Sequence, residues 1–233
     1  MDVWTRPVVK VGTRATLPDG RSFYYARQSS ATPLVAGNVL QAQIVGQAML
    51  DNIVTGTGVV GDMAIDLTPT TAATWAANEL AEGYLCVDTA TTGAGTTYKI
   101  RGHGAVSDAT LFSAALYDPI QVAISSDATT TIVKNPWMDA IIGAATLAYM
   151  PVGVANIAIP AGNVTAQYYW CQTWGMAAVT SGETSASGDV LMTDNSGDAG
   201  ETQVQTEGAA IVGVNMFTSA DGTWCPVFLK IAP

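Results

Sequence analysis

Catalysis requires titratable side chains held in fixed constellations, and this sequence offers few. His103, between Gly102 and Gly104, is the only histidine in 233 residues. A single histidine excludes HExxH zinc sites and multi-histidine metal centres, and any Ser-His-Asp triad would have to use it. No GxSxG elbow accompanies it, so His103 reads as a turn residue just past a strand. Cys86, Cys171 and Cys225 are odd in number and lack CxxC spacing. That predicts buried thiols, not a disulfide framework or a zinc ribbon. The Gly-rich stretches 56–61 and 93–95 carry no GxxxxGK[ST] pattern, so nucleotide binding is not expected. The run from Asp194 to Glu201 has the oxygen density of a calcium loop but lacks the glycine and glutamate of a hand-type loop, and reads as a solvated loop. Carboxylate pairs for glycoside hydrolysis exist in any chain with 19 acidic residues, and sequence spacing does not set their separation across a β fold. No catalytic, cofactor-binding or metal-ligating residue is therefore assigned, and the chain reads as non-enzymatic.

Recognition chemistry is better represented. In the run Gln167-Tyr168-Tyr169-Trp170-Cys171-Gln172-Thr173-Trp174-Gly175, regular strand alternation places Tyr168, Trp170 and Trp174 on one face. Three large rings on one face fill a core or a subunit interface, or alternatively stack on sugars. The net charge of −10 hides an asymmetry. Residues 1–27 hold five basic against two acidic side chains, and the remainder four against 17. Arg6, Lys10 and Arg14 thus belong to a basic N-terminal arm suited to an acidic partner surface, including a second copy of the chain. The acidic stretch from Glu183 through Asp189, Asp194, Asp198, Glu201 and Glu207 is rich in Gly and Ser and is expected to form a long exposed loop or hairpin tip. Nucleic acid is excluded as a partner by the shortage of clustered Lys and Arg. With no apolar h-region at the start and no long apolar run, the chain is expected to be soluble and neither secreted nor membrane-bound.

The elements that position these residues read as strands. Residues 15–17 and 22–26 flank Pro18-Asp19-Gly20 as a hairpin, and 62–68 alternates at period two. Segments 83–88 and 97–101 form a second hairpin, and short strands follow at 111–117, 120–124 and 130–133. A strand about every ten residues predicts a mainly β fold with barrel- or sandwich-type antiparallel sheets. At most one or two short helices are expected, one of them over the Ala-rich 71–82. Residues 37–50 are ambiguous between helix and extended chain. Ala36-Gly37-Asn38-Val39 after Pro33 echoes Ala161-Gly162-Asn163-Val164 after Pro160. The echo suggests that residues 1–50 and 136–233 form one discontinuous β domain around an inserted β module at 51–135. One continuous β domain over 1–233 is the alternative.

Three groups of residues carry a family resemblance. They are Asp19-Gly20-Arg21-Ser22-Phe23-Tyr24-Tyr25-Ala26; Ala81 to Val87 with Thr97-Tyr98-Lys99-Ile100; and Pro151 to Ala155 with Tyr169 to Gly175. Together they resemble virion structural proteins of marine tailed bacteriophages, most of all capsid decoration, or cement, proteins. Trp174 departs from the Arg of the Gln-Thr-Arg-Gly form of that group. The resemblance implies no catalytic residue and no cofactor. It implies a homotrimer made in the host cytoplasm that binds the major capsid protein on the outer surface of the virion, with no role for nucleic acid or membrane. Within that frame Arg6, Lys10, Arg14, Tyr168, Trp170 and Trp174 are the candidate interface residues, and the acidic stretch faces outward. The alternatives are a tail or head-fibre component, or a carbohydrate-binding or adhesin module.

Overall fold

The computed structural model describes residues 2–43, 50–144, 150–193, 199–205 and 210–233. Its regular elements are strands, paired antiparallel, so the fold is mainly β. The chain divides into two compact units, Met1–Gln43 with Pro136–Pro233, and Ile44–Asn135.

The first unit opens with β1 (Arg14–Thr16), β2 (Ser22–Gln28) and β3 (Val39–Gln41). The Asp-Gly turn joins β1 to β2, with Gly20 at φ 86° and the Asp19 carboxylate accepting the Arg21 N–H at 3.1 Å. The second unit supplies β4 (Ile53–Thr55), β5 (Ala64–Thr68), β6 (Tyr84–Thr89), β7 (Thr97–His103), β8 (Phe112–Leu116) and β9 (Thr129–Val133). These close into a barrel in the order β4-β5-β8-β7-β6-β9. Period-two patterning fills it: Ile65 pairs with Ala114 and Leu67 with Phe112, all pointing inward onto Ile53, Leu85, Ile100 and Leu116. The chain then returns to the first unit with β10 (Ile141–Ile142), β11 (Pro151–Val154) and β12 (Gln167–Thr180). β13 (Val190–Thr193), β14 (Thr202–Val204), β15 (Ile211–Asn215) and β16 (Trp224–Lys230) complete it. With β1 to β3 they form one ten-stranded sheet. β10 pairs with β3, so the chain leaves the first unit and re-enters it on neighbouring strands.

The barrel is internally two-fold. Exchanging β4-β5-β6 with β7-β8-β9 reproduces the strand order. It also carries the bridge between Gly58 and Ile124 onto the bridge between Val106 and Trp75. In each bridge both residues exchange N–H···O bonds, at 2.9 and 2.9 Å in the first and 3.0 and 2.9 Å in the second. The same two-way bridge joins Leu34 to Ile159, and Ser185 to Ser219, in the first unit. The two echo segments therefore lie against each other through Leu34 and Ile159. Their conformations differ, since Gly37 has φ 83° whereas Gly162 stays outside the left-handed region.

Four local expectations are corrected. Residues 71–82 are not a helix: Trp75 is drawn into its bridge, and Asn78 and Glu82 take φ of 62° and 63°, which a right-handed helix forbids. Residues 120–124 are not a strand but a connection pinned at Ile124. Of 37–50, residues 39–41 are β3 and 44–49 lie outside the described residues. The stretch 183–207 is not simply an exposed loop. It contains the paired strands β13 and β14, whose Leu191, Met192, Thr193, Thr202 and Gln203 are buried. Asp194, Asp198 and Glu207 lie outside the described residues.

Gly37 combines a close approach with a left-handed backbone. A Cβ there would sit 2.5 Å from the Trp224 ring and 2.9 Å from the Thr180 hydroxyl, in a left-handed conformation. Gly37→Ala is expected to destabilise the protein by about 1–3 kcal/mol, whereas Gly20→Ala, with open space around it, keeps only the cost of its φ. Thermal melts of the two variants check this.

Candidate functional site

The candidate residues are sorted into two separate places. Tyr168 and Trp170 lie on β12 opposite Arg27 and Tyr25 of β2. They pack with Tyr25, Val11, Met138 and Trp4 into a small aromatic cluster, in which Tyr25 meets Trp170 edge-on at 5.1 Å. The N-terminal segment covers this cluster. Trp4 exchanges backbone hydrogen bonds with Tyr168 at 2.9 and 2.8 Å, the Val8 N–H donates to the Tyr25 hydroxyl at 3.1 Å, and the Gly12 N–H donates to the Tyr25 carbonyl at 2.8 Å. The arm is thus laid along its own sheet, with Trp4 and Val11 packed inward and Arg6, Val8, Val9 and Lys10 exposed. Arg14 is also exposed, on β1, and its guanidinium reaches the Ser22 hydroxyl at 3.4 Å.

Trp174 does not share that face. Both Gln172 and Trp174 pair across to consecutive residues of β2, Phe23 and Ser22, so the strand carries a bulge at Thr173 and the alternation is reset. Gly175 follows at φ 85°. Trp174 instead meets Phe228 edge-on at 5.8 Å and lines an open pocket of about 370 Å³ with Asp19, Gly20, Arg21, Gly175, Met176 and Phe228. The single three-ring platform expected from period two is therefore absent from the fold.

His103 belongs to the barrel's interior packing. It is buried, its Nδ1 bonds to the Gly104 carbonyl, and its Nε2 accepts the Leu80 N–H at 3.0 Å, which assigns the proton to Nδ1. Its ring meets Phe112 edge-on at 5.6 Å. Burial lowers its pKa, outweighing the opposing pull of the Gly104 carbonyl and of Glu79. Both ring nitrogens are committed to backbone groups, and that leaves none to shuttle protons. Cys171 and Cys225 are buried, and burial pushes the Cys171 thiol up to about 12; Cys86 is only half-buried, against the expectation of three buried thiols. Among the described residues no group of three or more His, Cys, Asp or Glu side chains could hold a metal ion, and no helix is long and apolar enough to cross a membrane.

One surface feature escaped the sequence reading. The β4–β5 connection Gly58-Val59-Val60-Gly61-Asp62 places two valines on a turn, where Gly, Asn, Asp and Ser are the usual residues. Val59 is 58% and Val60 59% exposed, and Val122, on the connection that hydrogen-bonds this turn through Ile120 and Ile124, is 47% exposed. The turn is held firmly. The Asp62 carboxylate accepts the Val59 N–H at 3.1 Å, Gly61 donates to the Ile120 carbonyl at 2.9 Å, and Ile120 donates to the Asp62 carbonyl at 2.9 Å. Its signal in the sequence is Val-Val between two glycines, within the Gly-rich stretch 56–61. The unit that carries this turn holds nine acidic against three basic side chains.

The burial of His103 has a pH consequence. A folded-state pKa below the ordinary histidine value means the unfolded chain binds the extra proton, so stability is present above about pH 6.5 and is lost as pH falls toward the folded value. The depressed carboxylates Asp19 and Asp127 act only below about pH 4. The wild-type protein is expected to melt lower at about pH 5 than at about pH 7, and His103→Gln to show a smaller difference, by calorimetry at both values. No family model matches the chain, and neither a curated protein nor a solved structure matches it.

Proposed function

We propose that the chain is a non-enzymatic virion structural protein that decorates and stabilises a phage capsid shell through contacts between subunits. The observation that carries this reading is the rigid, exposed Val59-Val60 turn with Val122. Apolar side chains held out from a fixed turn lose their cost of exposure only on contact with another surface. The low share of charged residues, 12%, and the net charge of −10 support a product that is an interface with protein and not with nucleic acid. The exposed basic groups Arg6, Lys10 and Arg14 supply a second contact, to the major capsid protein or to another copy in a homotrimer. Binding that favours the finished shell over its disassembled parts raises the stability of the shell by mass action. The place of action is the outer capsid surface, after synthesis in the host cytoplasm.

Quantitative peptide mass spectrometry of gradient-purified particles tests the role. Copies approaching those of the main shell protein are expected; a few per particle would indicate a tail or fibre component, and absence would end the proposal. Val59→Asp with Val60→Asp is expected to weaken binding to the shell about tenfold or more, since one decade corresponds to about 1.4 kcal/mol, while the melting temperature stays within a few degrees.

A further inference from the structure

The pocket around Trp174 lies outside the contacts invoked above, and its lining has a specific chemistry. One wall is apolar: Trp174 and Phe228, set edge-on, with Met176, itself 43% exposed. The rim is an ion pair, in which Arg21 Nε donates to Asp19 Oδ2 at 2.7 Å. Arg21 is held in place from three sides. Asp19 takes its Nε, the Phe23 ring lies 5.8 Å from its guanidinium carbon, and Gly175 lies so close that a Cβ there would fall 2.9 Å from Arg21 Cγ. Fixed in this way, the guanidinium still has its two terminal nitrogens without an acceptor among the described residues, and the Trp174 indole N–H is likewise without one. The Asp19 carboxylate keeps lone pairs beyond those used by Arg21, and its bonds to Arg21 hold it ionised.

We propose that this pocket binds a neutral saccharide ring. The argument is one of matching. A pyranose presents a flat C–H face to an aromatic wall and, at its edge, hydroxyls that both donate and accept. Vicinal hydroxyls meet an Arg-Asp pair in both senses, the guanidinium donating to one oxygen and the carboxylate accepting from its neighbour. A carboxylate ligand would face Asp19, a cation would face Arg21, and a purely aliphatic side chain would leave the rim's polar groups unmatched. The volume of about 370 Å³ sits at the lower end of the range for small-molecule pockets and suits one ring, with the open side leaving room for a chain to continue. Preorganisation of Arg21 by Asp19, Phe23 and Gly175 lowers the ordering cost of binding. Tyr168 and Trp170, under the N-terminal segment, take no part.

The test is a titration of the full chain with methyl glycosides of glucose, galactose and mannose and with N-acetylglucosamine, read by saturation-transfer NMR and by tryptophan fluorescence. At least one is expected to bind with a Kd on the order of 1 mM, about −4 kcal/mol. Trp174→Ala and Arg21→Gln are each expected to weaken it about tenfold or more, and Tyr168→Phe to leave it unchanged. Arg21 is partly exposed, so its variant folds even where the Trp174 variant does not. The proposal is overturned if no sugar binds up to about 50 mM, well above that Kd, or if binding survives both substitutions. It is equally overturned if sedimentation shows a self-associated species in which Trp174 is shielded from quencher and Trp174→Ala restores the monomer, for then a second copy fills the pocket.

Discussion

Backbone hydrogen bonding in the connections is the constraint on which the rest of this structure depends. A chain built of short strands has many joints, and each joint that turns inward carries N–H and C=O groups that burial would leave unpaired at a cost of about 1–3 kcal/mol apiece. The solution repeats: two connections cross, exchange a pair of hydrogen bonds at one residue each, and then turn into strands. Gly58 with Ile124, Trp75 with Val106, Leu34 with Ile159 and Ser185 with Ser219 all do this. The bridges satisfy the joints and fix where the next strand begins. They also explain what the surface can do. The Val59-Val60 turn stands out because its base is bridged, and His103 is fixed because the connection after Trp75 delivers the Leu80 N–H to its ring.

Strand identity was readable because one-sided burial writes a period of two into the sequence. β5 and β8 carry it plainly, and the Pro18-Asp19-Gly20 turn announced the first hairpin. What was not readable is where tertiary pairing overrides local preference. The Ala-rich stretch 71–82 has the composition of a helix, but Trp75 gains more from its bridge and from the barrel core, where it meets Phe112 edge-on at 5.7 Å. The acidic stretch 183–207 looked like loop because its charges flank, and do not occupy, the apolar Val190-Leu191-Met192 that pairs inside the sheet.

The candidate residues were found as types but misplaced as a group. Tyr168 and Trp170 share a face as alternation requires, and the same alternation carried on to Trp174 fails at a single extra residue, Thr173. A bulge has no composition of its own. The following Gly175 was its only mark in the sequence, and a lone glycine in a strand signals a bulge or a close approach without saying which. Here it serves both ends, since Arg21 lies against it. The basic character of the N-terminal segment was legible from counting, whereas its docking onto its own sheet depends on Trp4 meeting Tyr168, residues 164 positions apart.

The pairing of β2 with β12 sets a timetable for the nascent chain. The Thr173 hydroxyl bonds to the Ser22 carbonyl across 151 residues, so the first unit lacks its central strand until most of the polypeptide has left the ribosome. The barrel needs nothing beyond Asn135, and its closing strand pair, with Thr130 opposite Ile53, spans 77 residues. At roughly 5–20 residues per second, synthesis of the stretch from Asn135 to the end of β12 gives the barrel several seconds to close first. Non-local β topologies fold in milliseconds to seconds, which fits inside this interval. β2, paired only with β1, waits meanwhile with the edge that takes β12 open, and the exposure of this apolar, aromatic edge before β12 arrives is the point at which this chain is most open to misassembly.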